Sequence, residues 1–262
     1  MKVVGIVESR MSSTRLPGKN LKPLLGRPMV VRLLERLKRA RALDAICVAT
    51  STEPADQLLE DWAVAEGVSC FRGSLDDVLA RTLGAARSME ADVIVEVTGD
   101  CPLIDPGIVD AAVARHRRGD VDYVANVLDA LTFPIGFDVQ VYATRVLEQV
   151  AASTQDLYDR QNVTPFIYRN PDRFRLLNLR ATPELDRPRY FLCVDHPEDF
   201  ALIRTVYEAL HPRNAAFSAA DVIRFLDERP DLVRSNNWRE DAFTFPSSGG
   251  RALQEVIELD VR

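Results

Sequence analysis

The feature that most restricts the fold of this chain is alternation: short β-branched apolar runs separated by helix-length amphipathic segments. KVVGIV (2–7), DAICVAT (44–50), VSCF (68–71) and DVIVEVT (92–98) are near-continuous apolar runs, the pattern of strands buried on both faces. Helical segments lie between them. Pro28 opens one whose Met29, Leu33, Leu37 and Ala40 share a face, with arginines opposite. A second, 55–66, stops at Gly67; others follow over 75–89 and 107–118, the last led in by Asp105 as an N-cap and Pro106. Strands alternating with helices of this length predict βαβ units and a parallel, doubly wound sheet.

Beyond 120 the order changes. YVAN (123–126), FDVQVY (137–142), FRLLNL (174–179) and RYFLCV (189–194) are strand-like, with helices expected near 143–151 and 156–169. Helices are then expected over 197–211, with Phe200, Ile203, Tyr207 and Leu210 on one stripe, and over 218–228. No repeat or low-complexity linker intervenes. The reading is one domain over 1–238, with a sheet-like lobe inserted over about 120–190. Residues 239–262 read as a C-terminal tail in which VIELDV is a candidate edge strand.

In an open parallel sheet, ligands bind beyond the carboxyl ends of the strands. The loop leaving the first strand reads ESRMSSTRLPGKNLKPL, and sets Arg10, Arg15, Lys19 and Lys22 against the single acid Glu8. This concentration of cations stands out in a chain of net charge −6. Ser12, Ser13, Thr14 and Gly18 add small side chains and open amides, the materials of an anion cradle. A nucleoside triphosphate is such an anion, and its transfer chemistry depends on positioning and charge neutralisation. From charge pattern alone, a solvated loop is an equally good reading. A Walker A loop would need Gly at 13 and Ser or Thr at 20, where the chain has Ser13 and Asn20. No G-x-G-x-x-G follows the first strand, which argues against a dinucleotide-binding domain.

The acidic balance argues against nucleic acid as the main partner. The opening MKVVGIVESR is too short an apolar run for a signal segment, and no run approaches membrane length. The expected location is therefore the cytoplasm, with no membrane partner. Cys47, Cys70, Cys101 and Cys193 form no C-x-x-C pair and read as reduced, Cys47 and Cys193 as small buried thiols within strand-like runs. No Ser-His-Asp or Cys-His arrangement stands out. His116 at a helix end suits the dipole there.

R-x-x-S-T-R-L-P-x-K, here Arg10 to Lys19, resembles the signature of the CMP-sugar synthetases, the cytidylyltransferases that activate KDO and sialic acids. The nearer resemblance is to the spore coat polysaccharide biosynthesis protein F group of CMP-KDO synthetase homologues. RGSLDDVLAR (72–81), TGDCPLIDP (98–106), FPIGFDVQVY (133–142), VTPFIYRNPDRF (163–174) and VDHPEDFALIR (194–204) resemble its blocks in the same order, over the chain to about 238. The resemblance implies a three-layer α/β/α, Rossmann-like nucleotidyltransferase fold, CTP and Mg²⁺ dependence, a sugar-like acceptor and a homodimer. It implies the triphosphate on Arg10, Ser12, Ser13, Arg15 and Lys19, and places Arg72, Ser74 and Asp77 near base and ribose. Arg81 reads as helix surface.

Thr98, expected on the nucleotide, ends the fourth strand; Asp100, just beyond it and expected on the nucleotide too, and Asp195, at the end of RYFLCV, align with aspartates that hold Mg²⁺ in the family. Mg²⁺ takes one or two protein carboxylates plus phosphate oxygens. Asp195 with Glu198 also describes a capping box. On the acceptor side stand Asp138, Gln140, Asn162 and Arg169. There the chain departs from the group, with Ile135 and Gln140 where relatives read F-P-D-G-x-D-x-E, and Gln161-Asn162 where they read E-H. Two alternatives remain at this level. One is the same chemistry with another nucleotide or a non-sugar acceptor, although the G-x-G-x-R loop usual there is absent. The other is a non-catalytic nucleotide-binding protein of the same fold.

Overall fold

A computed structural model describes residues 1–234, 246–257 and 259. Its centre is a sheet in which eight strands pair among the described residues, in the order β10-β9-β7-β8-β6-β1-β4-β5. The strands are β1 (Val3–Glu8), β4 (Ala45–Ser51), β5 (Ser69–Gly73), β6 (Val93–Thr98), β7 (Tyr123–Ala125), β8 (Gln140–Ala143), β9 (Leu176–Arg180) and β10 (Leu253–Val256). The two-residue strands β2 (Pro23–Leu24) and β3 (Arg27–Pro28) form a separate antiparallel pair. In the main sheet only β8 runs antiparallel to its neighbours, β6 and β7.

Two apolar layers sandwich this sheet. Val3 and Val7 of β1 face one side and Val4 and Ile6 the other, as the two-residue period requires. The first side is covered by α1 (Met29–Leu37), α4 (Pro106–His116), α8 (Pro197–Leu210) and α9 (Ala219–Asp227). On the second lie α3 (Val78–Ser88), α5 (Thr144–Ser153) and the short α6 (Leu157–Asn162) and α7 (Pro165–Arg169). Helices α2 (Gln57–Ala65) and α10 (Pro230–Arg234) complete the set among the described residues. Sequence-local caps start several of them. Asp105 accepts from the Gly107 and Ile108 amides, and Ser218 and Asp221 form a capping box on α9.

Three expectations need correction. The helix expected over 156–169 is broken at Val163, whose φ of 68° and ψ of −62° interrupt the ladder between α6 and α7. RYFLCV is no strand: it makes one isolated bridge, Phe191 with Ile135, and otherwise crosses the sheet's end. Cys193 is accordingly half-buried and outside any strand, while Cys47 lies buried in β4. His116 is buried, and burial pushes its pKa down, so it meets the end of α4 as a neutral ring rather than a cation.

The segment 120–190 supplies β7, β8 and β9 to the same sheet. From Pro246 the chain returns to it. Asp129 accepts from the Ser248, Gly250 and Ala252 amides, and β10 then adds parallel to β9. Residues 239–245 of the expected tail, and 258, 260 and 261 of VIELDV, lie outside the described residues; the observed strand meets that run only at Val256. No described helix is long and apolar enough to cross a membrane.

Candidate active site

Three chain segments meet at the carboxyl ends of β1 and β6. The loop after β1 is pinned at both ends. Asp56 accepts from the Met11 amide at 2.7 Å, and the Asn20 side chain donates to the Arg10 carbonyl at 2.8 Å. Gly18, at φ 67°, turns the loop into the 3₁₀ turn Lys19–Leu21. The loop after β6 folds tightly against β1: the Gly99 amide donates to the Glu8 carbonyl at 2.7 Å, and a Cβ at Gly99 would stand only 2.8 Å from that oxygen. The third segment crosses both, with Val194 donating to the Asp100 carbonyl at 2.8 Å.

These contacts place the Lys19 ammonium between two carboxylates. It donates to Asp100 Oδ2 at 2.8 Å, to Asp195 Oδ1 at 3.1 Å and to the Val194 carbonyl at 2.7 Å. Arg15 pairs with the same Asp195 oxygen at 2.7 Å. Burial works against the Lys19 charge, yet Asp100 and then Asp195 raise its pKa above the ordinary lysine value. Burial alone would push Asp100 up, but the Lys19 charge and hydrogen bond hold it below the usual carboxylate range. Asp195 reaches this place because it does not cap α8. His196 is the N-cap residue, and Asp199 accepts from the Asp195 and His196 amides at 2.8 and 2.7 Å. The expected box with Glu198 is therefore shifted by one residue.

A cavity of about 460 Å³ opens above this cluster, within the range of ligand pockets. Its walls carry Arg10, Ser12, Ser13, Arg15, Lys19, Thr98, Asp100, Asn162 and Asp195, all sites expected from sequence. Arg81 also lines it. Far from being helix surface, Arg81 is 3 % exposed and donates to the Ser74 and Leu75 carbonyls, because it lies on the face of α3 turned toward β1. Gln161 and Asn20 were missed as well. Nothing in a helical or turn pattern marks them, and only the break at Val163 brings Gln161 and Asn162 to the rim. Four cations thus face Glu8, Asp100 and Asp195, and burial pushes Glu8 toward its neutral form.

Other expected residues lie outside the cavity lining. Asp77 is the N-cap of α3, accepting from Ala80 and pairing with Arg160. Ser74 accepts from the Asp77 amide at 3.0 Å. Arg72 donates to the Ser51 and Glu53 carbonyls and pairs with Glu60. Arg169 pairs with Asp159 and lies over the Tyr158 ring. Gln140 accepts from Tyr123 and Thr164 at 2.5 and 2.7 Å and donates to Glu96, within a buried polar network. Asp138 sits behind the cluster, its carboxyl pushed up to about 7 by burial, with Asp100 adding to the rise.

Residues 4–223 match the family model described as cytidylyltransferase. The chain belongs to that family. This cytidylyltransferase is 30 % identical over 239 residues to the spore coat polysaccharide biosynthesis protein SpsF of Bacillus subtilis, covering 88 % of this chain and 96 % of the relative. A solved cytidylyltransferase from Leptospira borgpetersenii superposes with a TM-score of 0.83 at 32 % identity, covering 89 % of this chain and 97 % of that one. A shorter match of 121 residues, 44 % of each chain at 37 % identity, is to a 3-deoxy-manno-octulosonate cytidylyltransferase of Geobacter metallireducens. The family membership makes the chain a nucleotidyltransferase, and its fold is the mostly parallel α/β arrangement of that class.

Proposed function

We propose that this enzyme transfers CMP from CTP to a hydroxyl of a sugar-like acceptor, an acidic 2-keto sugar, and releases pyrophosphate, in the synthesis of surface glycan precursors. The observation that carries the reading is the sharing of one buried ammonium, Lys19, by Asp100 and Asp195 on the floor of a cation-rich cavity. Arg10, Arg15 and Lys19 bind the triphosphate, with Ser12, Ser13 and the loop amides around them. Lys19 stabilises the negative charge that grows on the departing pyrophosphate as the α-phosphorus bond to it breaks.

The paired carboxylates fit Mg²⁺, whose preference is for hard oxygen donors completed by phosphate oxygens. Asp100 and Asp195 would hold the ion, which when bound neutralises phosphate charge and lowers the acceptor hydroxyl's pKa. Thr98 hydrogen-bonds Asp100 and fixes its orientation. Asn162, on the far wall, orients the acceptor, with Gln161 beside it. The roles first assigned to Arg72, Ser74, Asp77, Asp138, Gln140 and Arg169 become supporting ones. In this reading 1–238 acts as one nucleotidyltransferase domain in a cytoplasmic homodimer, 120–190 forming the acceptor and dimer side.

The deciding experiment measures melting with each of the four nucleoside triphosphates and Mg²⁺, then pyrophosphate release with CTP and a panel of sugars. Selective stabilisation by CTP, and release only with 2-keto acid sugars, is expected. Equal response to all four nucleotides, or release only with sugar 1-phosphates, overturns the assignment.

A further inference from the structure

Behind Asp100 lie two thiols that the proposed reaction does not use. Cys101 Sγ stands 3.7 Å from Cys193 Sγ and 3.8 Å from Asp100 Oδ1. These three donors, one oxygen and two sulfurs, all lie within 4.8 Å of one another. Two sulfurs bound at about 2.3 Å to one tetrahedral ion stand roughly 3.8 Å apart. The observed spacing is already the one that such an ion imposes.

We propose that Asp100, Cys101 and Cys193 form a binding site for a thiophilic divalent ion of the zinc class, back to back with the nucleotide cleft. Asp100 can serve it without leaving Lys19, because Oδ2 faces the ammonium and Oδ1 faces the sulfurs. The backbone is held in place from both sides. The Cys101 amide closes a turn onto the Thr98 carbonyl, and Cys193 is flanked by the Leu192-to-Ile135 and Val194-to-Asp100 hydrogen bonds. Gly136, at φ 107°, lies so close that a Cβ there would come within 2.6 Å of the Leu192 carbonyl carbon. A site pinned in this way loses little entropy when an ion enters.

Binding replaces two S–H bonds by two metal–sulfur bonds, and the two protons pass to water. Thiolate donors select zinc, cadmium or cobalt over magnesium, whereas the oxygen side of Asp100 has the opposite preference. The two classes of ion therefore compete for one carboxylate. A bound zinc-class ion would hold Asp100 toward the sulfurs and slow nucleotidyl transfer, a consequence that rests on the role proposed for Asp100 above.

The test uses the whole chain with a phosphine reductant and Co²⁺ as the probe. One equivalent should produce thiolate-to-cobalt charge-transfer absorption and intense tetrahedral visible bands, both abolished by one equivalent of Zn²⁺. Cys193→Ser should at least halve the charge-transfer absorption and weaken Zn²⁺ binding by at least about tenfold. Cys101→Ala, with folding checked by circular dichroism, should do the same. The double variant Cys47→Ser/Cys70→Ser should keep the absorption. No charge-transfer absorption in the native chain, or absorption that neither single substitution reduces, overturns the site. Full absorption with undiminished pyrophosphate release upholds the site and overturns the part given to Asp100 in transfer.

Discussion

At the floor of the cleft, Lys19 serves Asp100, Asp195 and a carbonyl at once, and Asp195 draws on Arg15 as well. At the start of α3, Asp77 divides its oxygens cleanly, one to the Ala80 amide and the other to Arg160. Asp159 does likewise, with Thr154 on one oxygen and Arg169 on the other. In the second arrangement each carboxylate oxygen is committed to one partner residue, and a ligand would have to displace it. In the first, Lys19 spreads its three donors over Asp100, Asp195 and a carbonyl, and one Asp195 oxygen takes Arg15 as well, so an arriving cation or anion exchanges partners within a shared cluster rather than breaking a finished network. Shared charge facing a cavity marks the working part of the cleft, and evenly matched charge marks its frame.

The sharpest way to break that contrast is Asp100→Asn. The amide keeps the shape and still accepts from Lys19, so melting should shift little. Turnover should nevertheless fall by several kcal/mol of transition-state stabilisation, on the order of a thousandfold in pyrophosphate release. Near-native turnover would take Asp100 out of the reaction and dissolve the contrast.

Asp77→Ala probes the other side. It removes an N-cap and a half-exposed ion pair, and chemical denaturation should show a loss of about 1–2 kcal/mol. Turnover per folded molecule should stay within about twofold, and a drop beyond tenfold would move Asp77 into nucleotide binding.

The smallest effect is a pH dependence. Burial raises the Asp138 carboxyl to about 7, so the folded chain holds that proton more tightly than the unfolded one. Its stabilising contribution is complete below about pH 4 and is lost as pH rises through about 7. Asp138→Asn, always neutral, should match the native melting temperature near pH 4 and exceed it by a few degrees near pH 8. Equal melting at both ends would show that Asp138 ionises freely.

How much of this was legible in the chain follows the same division. The β-branched runs name β1, β4 and β6 directly, because a strand buried on both faces needs apolar side chains at every position, whereas β5 lies at the sheet's edge and is only partly covered. RYFLCV has that composition too. It is held instead by two hydrogen bonds with Ile135 and one to Asp100, long-range partners that no local pattern encodes. The loop from Arg10 to Lys19 could be read because its concentrated charges coincide with the R-x-x-S-T-R-L-P-x-K resemblance; charge alone left a solvated loop equally good. Asp77, Arg72 and Arg169 carry the same side-chain chemistry, and whether a helix start or a neighbouring strand has already taken it up depends on packing. Arg81 shows the reverse error, since its burial reflects where α3 sits on the sheet.

The last strand has a bearing on how the molecule is made. Because β10 follows α8, α9 and α10 in the chain, the outer rim of β9, with Leu177 and Leu179, is completed by a strand synthesised after them. During that interval any extended neighbour can dock there in place of the native partner. Asp129, gathering the amides just ahead of β10, fixes the turn that lays the native strand along that rim.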